Sequence, residues 1–126
     1  MSSNNFKQVF SFNVEYSPQY TVKKFISERT KLQVVQIFSK ASPMVEGYFA
    51  VGTEITNDSG IPHTLEHLVF TGSKKYPYKS ILDKGANLSM SSTNAWTATD
   101  QTVYTLSTAG WLGFKNVLPF YLDCLF

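Results

Sequence analysis

The chain is predicted to fold as an α+β domain with a largely antiparallel sheet packed by helices. Three observations carry this expectation. Strand-like runs come in pairs joined by short polar turns, an amphipathic helical segment falls between two such groups, and the last residues return to helical spacing. At 126 residues the chain is one domain's worth, long enough to bury a core without disulfides or metal staples.

Taken in order, residues 1–19 read as an extended lead-in, polar and then aromatic through Phe6, Phe10, Phe12 and Tyr16. Residues 20–126 read as the domain proper. Thr21 to Ser27 and Leu32 to Ser39 flank the polar turn Glu28-Arg29-Thr30-Lys31, which predicts an antiparallel hairpin. β-branched and aromatic content makes Leu32 to Phe38 a strong strand. Ala41-Ser42-Pro43 breaks it. Val45 to Ile55 resumes as a third strand, nearly all apolar and therefore expected at the centre of its sheet.

Asn57-Asp58-Ser59-Gly60 punctuates the chain ahead of a helix. Ser59 or Asn57 is the expected cap, Pro62 suits the first turn, and Gly72 is placed to end the helix. Tyr78 to Lys84 reads as a short second helix. Leu88 to Ala98 and Gln101 to Thr108 form another predicted hairpin, turning near Thr99-Asp100. From Gly110 onward Trp111, Phe114, Val117, Leu118, Tyr121 and Leu125 recur at helical spacing, with Pro119 expected to kink or divide the helix.

Composition narrows the function. Ten Phe, seven Tyr and two Trp argue for a folded body, and a net charge of +2 is too small for a nucleic-acid or membrane-surface partner. Lys23 with Lys24, and Lys74 with Lys75, suit solvated surface positions better than phosphate clamps. The single cysteine, Cys124, rules out a disulfide within the chain and fits a small buried hydrophobe in a reducing compartment. No apolar run reaches transmembrane length. The first residues lack a secretory h-region, and no Arg precedes Arg29, so the cytoplasm is expected and mitochondria less so.

Both histidines lie in one run, His63-Thr64-Leu65-Glu66-His67, the H-x-x-E-H pattern. At about 100° per residue, His63, Glu66, His67 and Phe70 collect on one side of the helix, and Ile61, Leu65, Leu68 and Val69 on nearly the other. The apolar side is expected to face the core and the motif side a cleft. Two imidazoles one turn apart can hold Zn²⁺, and a carboxylate between them can act as general base on water. The same spacing also suits polar residues of an ordinary amphipathic helix.

Further blocks follow the motif: Gly72-Ser73-Lys74-Lys75-Tyr76-Pro77, then Ser92-Thr93-Asn94-Ala95-Trp96-Thr97, then Thr102-Val103-Tyr104. Together with His63 to Phe70 they resemble the N-terminal domain of the pitrilysin (M16) metallopeptidases. The wording is nearest the branch that includes presequence proteases, and the likeness runs from about residue 20 to the end. The resemblance implies a partial M16-type domain in which His63 and His67 are zinc ligands. It implies that Glu66 activates a zinc-bound water for attack on a peptide carbonyl. Asn94 and Ala95 match a segment that binds substrate backbone at a sheet edge by strand addition. Asn94 read by itself is a turn or strand-end polar residue, and Trp96 is expected in the core.

The implied partners are a short or unfolded peptide substrate and the remaining domains of a longer chain, since the family encloses peptides between two halves. Its third zinc ligand is a later glutamate. Here the glutamates are Glu15, Glu28, Glu46, Glu54 and Glu66, so none follows the motif, and Asp83, Asp100 and Asp123 match no ligand block. A catalytic zinc usually has three protein ligands and a water. The chain stops inside an apolar helical pattern, which reads as an N-terminal piece of a longer protein. The alternative to an endopeptidase is a catalytically incomplete fragment, or a non-catalytic family member acting as a binding or assembly subunit.

Overall fold

The computed structural model describes residues 5–78, 84, 85, 87 and 90–126. The chain divides into two units, Met1–Ser42 and Pro43–Phe126. The division falls at Pro43, which has no backbone donor to offer a sheet. The short helix expected at 78–84 lies for the most part outside the described residues.

The first unit is a three-stranded antiparallel sheet of β1 (Phe6–Val14), β2 (Ser17–Ser27) and β3 (Gln33–Ser39), in that order. The stretch read as a lead-in thus supplies β1, which pairs with β2 from Phe6 opposite Ser27 through to Asn13 opposite Thr21. The expected hairpin is present: β2 and β3 pair from Tyr20 opposite Ser39 to Ile26 opposite Gln33. Its turn closes through the Ser27 N–H donating to Leu32 O (2.9 Å) and the Lys31 N–H donating to Ser27 O (3.0 Å). The Thr30 N–H also donates to Ser27 Oγ, at 3.2 Å.

The second unit contains β4 (Met44–Gly52), α1 (Ile61–Val69), β5 (Ser91–Thr97), β6 (Gln101–Ala109) and α2 (Trp111–Leu125). Its sheet is antiparallel in the order β4-β6-β5. The expectation that the third strand would be central is therefore corrected: β6 is central, and β4 pairs only with β6 among the described residues. The apolar run in β4 misled because only alternate residues face the helices. Val45, Gly47 and Phe49 are half-buried, whereas Glu46 and Tyr48 are exposed. β6 is the strand whose residues are buried on both faces, with Thr102, Val103, Tyr104, Leu106 and Thr108 all enclosed.

The core sits between β6 and the helices. Tyr104, Leu106, Val117 and Tyr121 are buried together, with Phe49, Val69, Phe70 and Phe114 packed against them. Burying side chains of this size stabilises by roughly 1.5–3 kcal/mol each. α2 can approach β4 closely because position 47 is glycine: a Cβ there would lie 3.0 Å from the Phe114 ring. Pro119 does not divide α2, which runs unbroken through it; the cost is the backbone donor that Lys115 O would otherwise receive. Cys124 is half-buried rather than buried, and burial, aided by the Asp123 charge, pushes its thiol up. Trp96 is also corrected. It is 44% exposed and meets Tyr48 edge-on at 6.4 Å, on the sheet face away from the core. Among the described residues no helix is long and apolar enough to cross a membrane.

Candidate metal centre and peptide-binding edge

The helix that carries the histidines starts later than its polar punctuation suggests. Its cap is Gly60, at φ 65°, and no side chain caps it. This left-handed conformation is one that glycine adopts without the penalty of a Cβ. Asn57 instead turns the chain beforehand, its Oδ1 accepting from the Ser59 N–H at 3.1 Å. Pro62 falls in the first turn as expected. The helix ends at Val69, not at Thr71-Gly72. The Thr71 hydroxyl closes it by donating to Leu68 O at 2.7 Å, and Phe70 is the cap residue.

The helical wheel does not predict the buried side of α1: Val69 and Phe70, expected on opposite sides, both pack against the core, and neither expected side faces it as a whole. Ile61, Leu65 and Leu68 are 65%, 54% and 55% exposed, while Glu66 is only 9% exposed. Phe70 accounts for the side that is buried. Its ring stands 85° to that of Tyr104 at 5.6 Å and lies 4.9 Å from Tyr121, so it holds the Glu66 side of the helix onto the core. A ring packed on two tyrosines gains both buried area and favourable edge contacts.

Glu66 follows Phe70 inward and is met there by the end of β5. The Thr97 hydroxyl donates to Glu66 Oε2 at 2.5 Å, a short distance typical of a hydroxyl on a carboxylate. Burial, and secondarily the Glu66 charge, push the Tyr104 phenol up, in keeping with a carboxylate turned toward β6. His63 and His67 stay exposed at the margin of the same face. Their rings are 4.8 Å apart and their Nε2 atoms 3.1 Å apart. A proton shared between two imidazoles can occupy that gap. So can a metal: two nitrogens on one tetrahedral zinc, at about 2.0–2.1 Å each, are about 3.3 Å apart. The pair therefore fits two positions of such a site. Among the described residues no group of three or more His, Cys, Asp or Glu side chains gathers. An open cleft of about 580 Å³ adjoins the pair, lined by Ile55, Asn57, Asp58, His63, Thr97 and Thr99.

Asn94 and Ala95 lie on β5, which among the described strands pairs only with β6 and so presents an edge. Asn94 stands opposite Thr105, and Ala95 opposite Tyr104. Beyond the strand, the Ala98 N–H donates to Gln101 O at 2.7 Å. Hydrogen-bonded pairs recur at every second residue of an antiparallel ladder. Asn94 therefore directs its main chain at β6, and Ala95 directs its own at the open edge. The Ala95 N–H is met by the Oδ1 of Asn94 at 2.9 Å, and Asn94 O accepts from the Thr105 hydroxyl at 3.1 Å.

Sequence reasoning missed Thr97 as a partner of Glu66, and Thr102 and Thr53 behind it. Parity along β5 puts Thr97 on the Ala95 side, toward the helices, and this was readable; which helical residue it meets was not.

A family model described as insulinase (peptidase family M16) matches residues 50–125. The chain belongs to peptidase family M16. This M16 chain is 67% identical over 118 residues to an uncharacterized protein of Saccharomyces cerevisiae, covering 94% of the chain and 11% of that protein. It is 53% identical over 107 residues to an uncharacterized protein of Caenorhabditis elegans, with 82% of the chain and 11% of the relative covered. It is 45% identical over 71 residues to the mitochondrial presequence protease of Mus musculus, with 56% and 7% covered. The M16 chain thus spans about a tenth of the length of these curated relatives. Among solved structures, pitrilysin superposes over 98% of the chain and 13% of its own length, with a TM-score of 0.84 at 18% identity. That likeness shows the fold: the chain is a pitrilysin-like α+β fragment.

Proposed function

We propose that the full-length protein is a zinc-dependent metalloendopeptidase acting on short or unfolded peptides. One observation carries the proposal. His63 and His67 bring their Nε2 atoms to 3.1 Å at the rim of a cleft, with Glu66 on the same helix face beside them. When bound, zinc supplies a Lewis acid that acidifies water and polarises a peptide carbonyl. His63 and His67 would hold it, with the third protein ligand contributed by the remaining domains of the full-length chain. Residues 1–126 by themselves stop at two ligands, and this segment in isolation is expected to be inactive.

Glu66 takes the proton from the attacking water and passes it to the leaving amine. Its enclosure beneath α1 limits the orientations of the carboxylate and leaves the exposed histidines outside it. Asn94 and Ala95 are the substrate-binding residues in this reading. A peptide adds as a strand along β5, and its carbonyl replaces Asn94 Oδ1 on the Ala95 N–H. Main-chain pairing of this kind gives affinity with little demand on side chains, which suits unfolded peptides of varied sequence.

The test uses the full-length protein and an unstructured fluorogenic peptide. Treatment with a chelator is expected to abolish cleavage, and stoichiometric zinc to restore it. Cleavage that survives complete removal of the metal would overturn the proposal.

A further inference from the structure

Behind Glu66 lies a set of hydroxyls contributed by the three strands of the second unit. Thr97 closes β5, Thr102 lies near the start of β6, and Thr53 follows β4. Thr97 Oγ1 is 2.5 Å from Glu66 Oε2 and 3.5 Å from Thr102 Oγ1; Thr102 Oγ1 is in turn 3.1 Å from Thr53 Oγ1. Thr102 is 2% exposed, so this part of the set is shielded from water.

Proton bookkeeping fixes the direction of the set. An ionised carboxylate only accepts, and each hydroxyl has one proton to give. The Thr97 proton is committed to Glu66, so Thr97 can only accept from Thr102. Thr102 then gives its proton to Thr97 and accepts from Thr53. The Thr97–Thr102 separation is long for two hydroxyls, so the Thr97–Glu66 bond is the strong link and the others bias it.

We infer that Thr97 is a positioning residue for Glu66, holding Oε2 so that Oε1 is the oxygen left to take the proton from water. The inference rests on the reading of Glu66 as the general base. Without the Thr97 donor, a carboxylate in an enclosed site seeks other donors and rotates away from its working orientation. Thr102 and Thr53 orient the Thr97 hydroxyl without touching Glu66. They link the base to the ends of both neighbouring strands.

The test takes the full-length protein with Thr97→Val, which keeps the branched shape and loses the donor, and Thr97→Ser, which keeps the donor. Thr97→Val is expected to lower kcat roughly 10–100-fold, with KM and zinc content unchanged. Its crystal structure is expected to show the Glu66 carboxylate turned from its wild-type orientation. Thr97→Ser is expected to restore both rate and orientation. Thr97→Ala gives the same readouts should the valine variant not fold. A Glu66 carboxylate that keeps its orientation without the hydroxyl overturns the inference whatever the rate, as does an unchanged kcat. Glu66→Gln assayed alongside separates the two levels. If it is inactive while Thr97→Val is fully active, the positioning role fails alone; if it is active, the reading of Glu66 as base fails.

Discussion

Glu66→Gln in the full-length protein is expected to retain zinc and to lose roughly 10²–10⁴-fold in peptide turnover. The amide is nearly isosteric and can still accept from the Thr97 hydroxyl through its carbonyl oxygen, so the fold beneath α1 should persist. What it cannot do is take a proton. The loss should therefore appear in kcat rather than KM, since Glu66 is not expected to contact the bound peptide before reaction. Steady-state kinetics of the zinc-loaded variant, with metal content measured on the same sample, checks this. A variant that remains fully active would remove Glu66 from the mechanism.

The second large effect is on stability. Tyr121 is completely buried, its ring lies 5.1 Å from Phe49 and 4.9 Å from Phe70, and its hydroxyl donates to Thr105 O at 2.8 Å. Burial is the main cause that pushes its phenol well above the usual tyrosine range, so the hydroxyl stays protonated and continues to donate. Tyr121→Ala removes the ring that Phe70 leans on, leaving a cavity. The expected cost is about 3–5 kcal/mol. Tyr121→Phe, which loses only the hydrogen bond, should cost about 0.5–1.5 kcal/mol. Amide exchange in β6 of the full-length protein is the suitable measure, because a single unfolding free energy is not well defined for a long multidomain chain. Tyr121→Ala should speed that exchange by roughly 10²–10⁴-fold. Equal exchange in the two variants would mean that the ring does not support the core.

The contrast between the helix and the sheet shows what the sequence could reveal. The strands read at 21–27, 32–39 and 101–108 were legible because residue alternation and polar turns are local signals, whereas β1 and the first residues of β2 were not. Strand order was not, since an apolar run such as β4 reads alike at the edge and in the centre. For α1 the wheel set Val69 and Phe70 on opposite sides, yet both pack against the core, because the facing depended on distant partners. Phe70 was assigned to the cleft, yet it sits against Tyr104 and Tyr121, residues brought to it only by folding. Leu65 and Leu68, assigned to the core, are exposed. Trp96 was assigned by hydrophobicity when its parity with exposed Asn94 already placed it on the outer face. The closeness of the two histidines was legible because one-turn spacing is itself the signal; the burial of Glu66 was not. The hydroxyls behind Glu66 were not, because threonines on three strands carry no pattern until the sheet assembles.

His63 and His67 are expected to hold one zinc ion together. Zinc-edge X-ray absorption on the full-length, metal-loaded protein reads this directly. One zinc per chain with two imidazole ligands at about 2.0–2.1 Å is the expected result, falling to a single imidazole or to no bound zinc in His67→Ala. A wild-type spectrum without imidazole scattering, or one unchanged in His67→Ala, would contradict it.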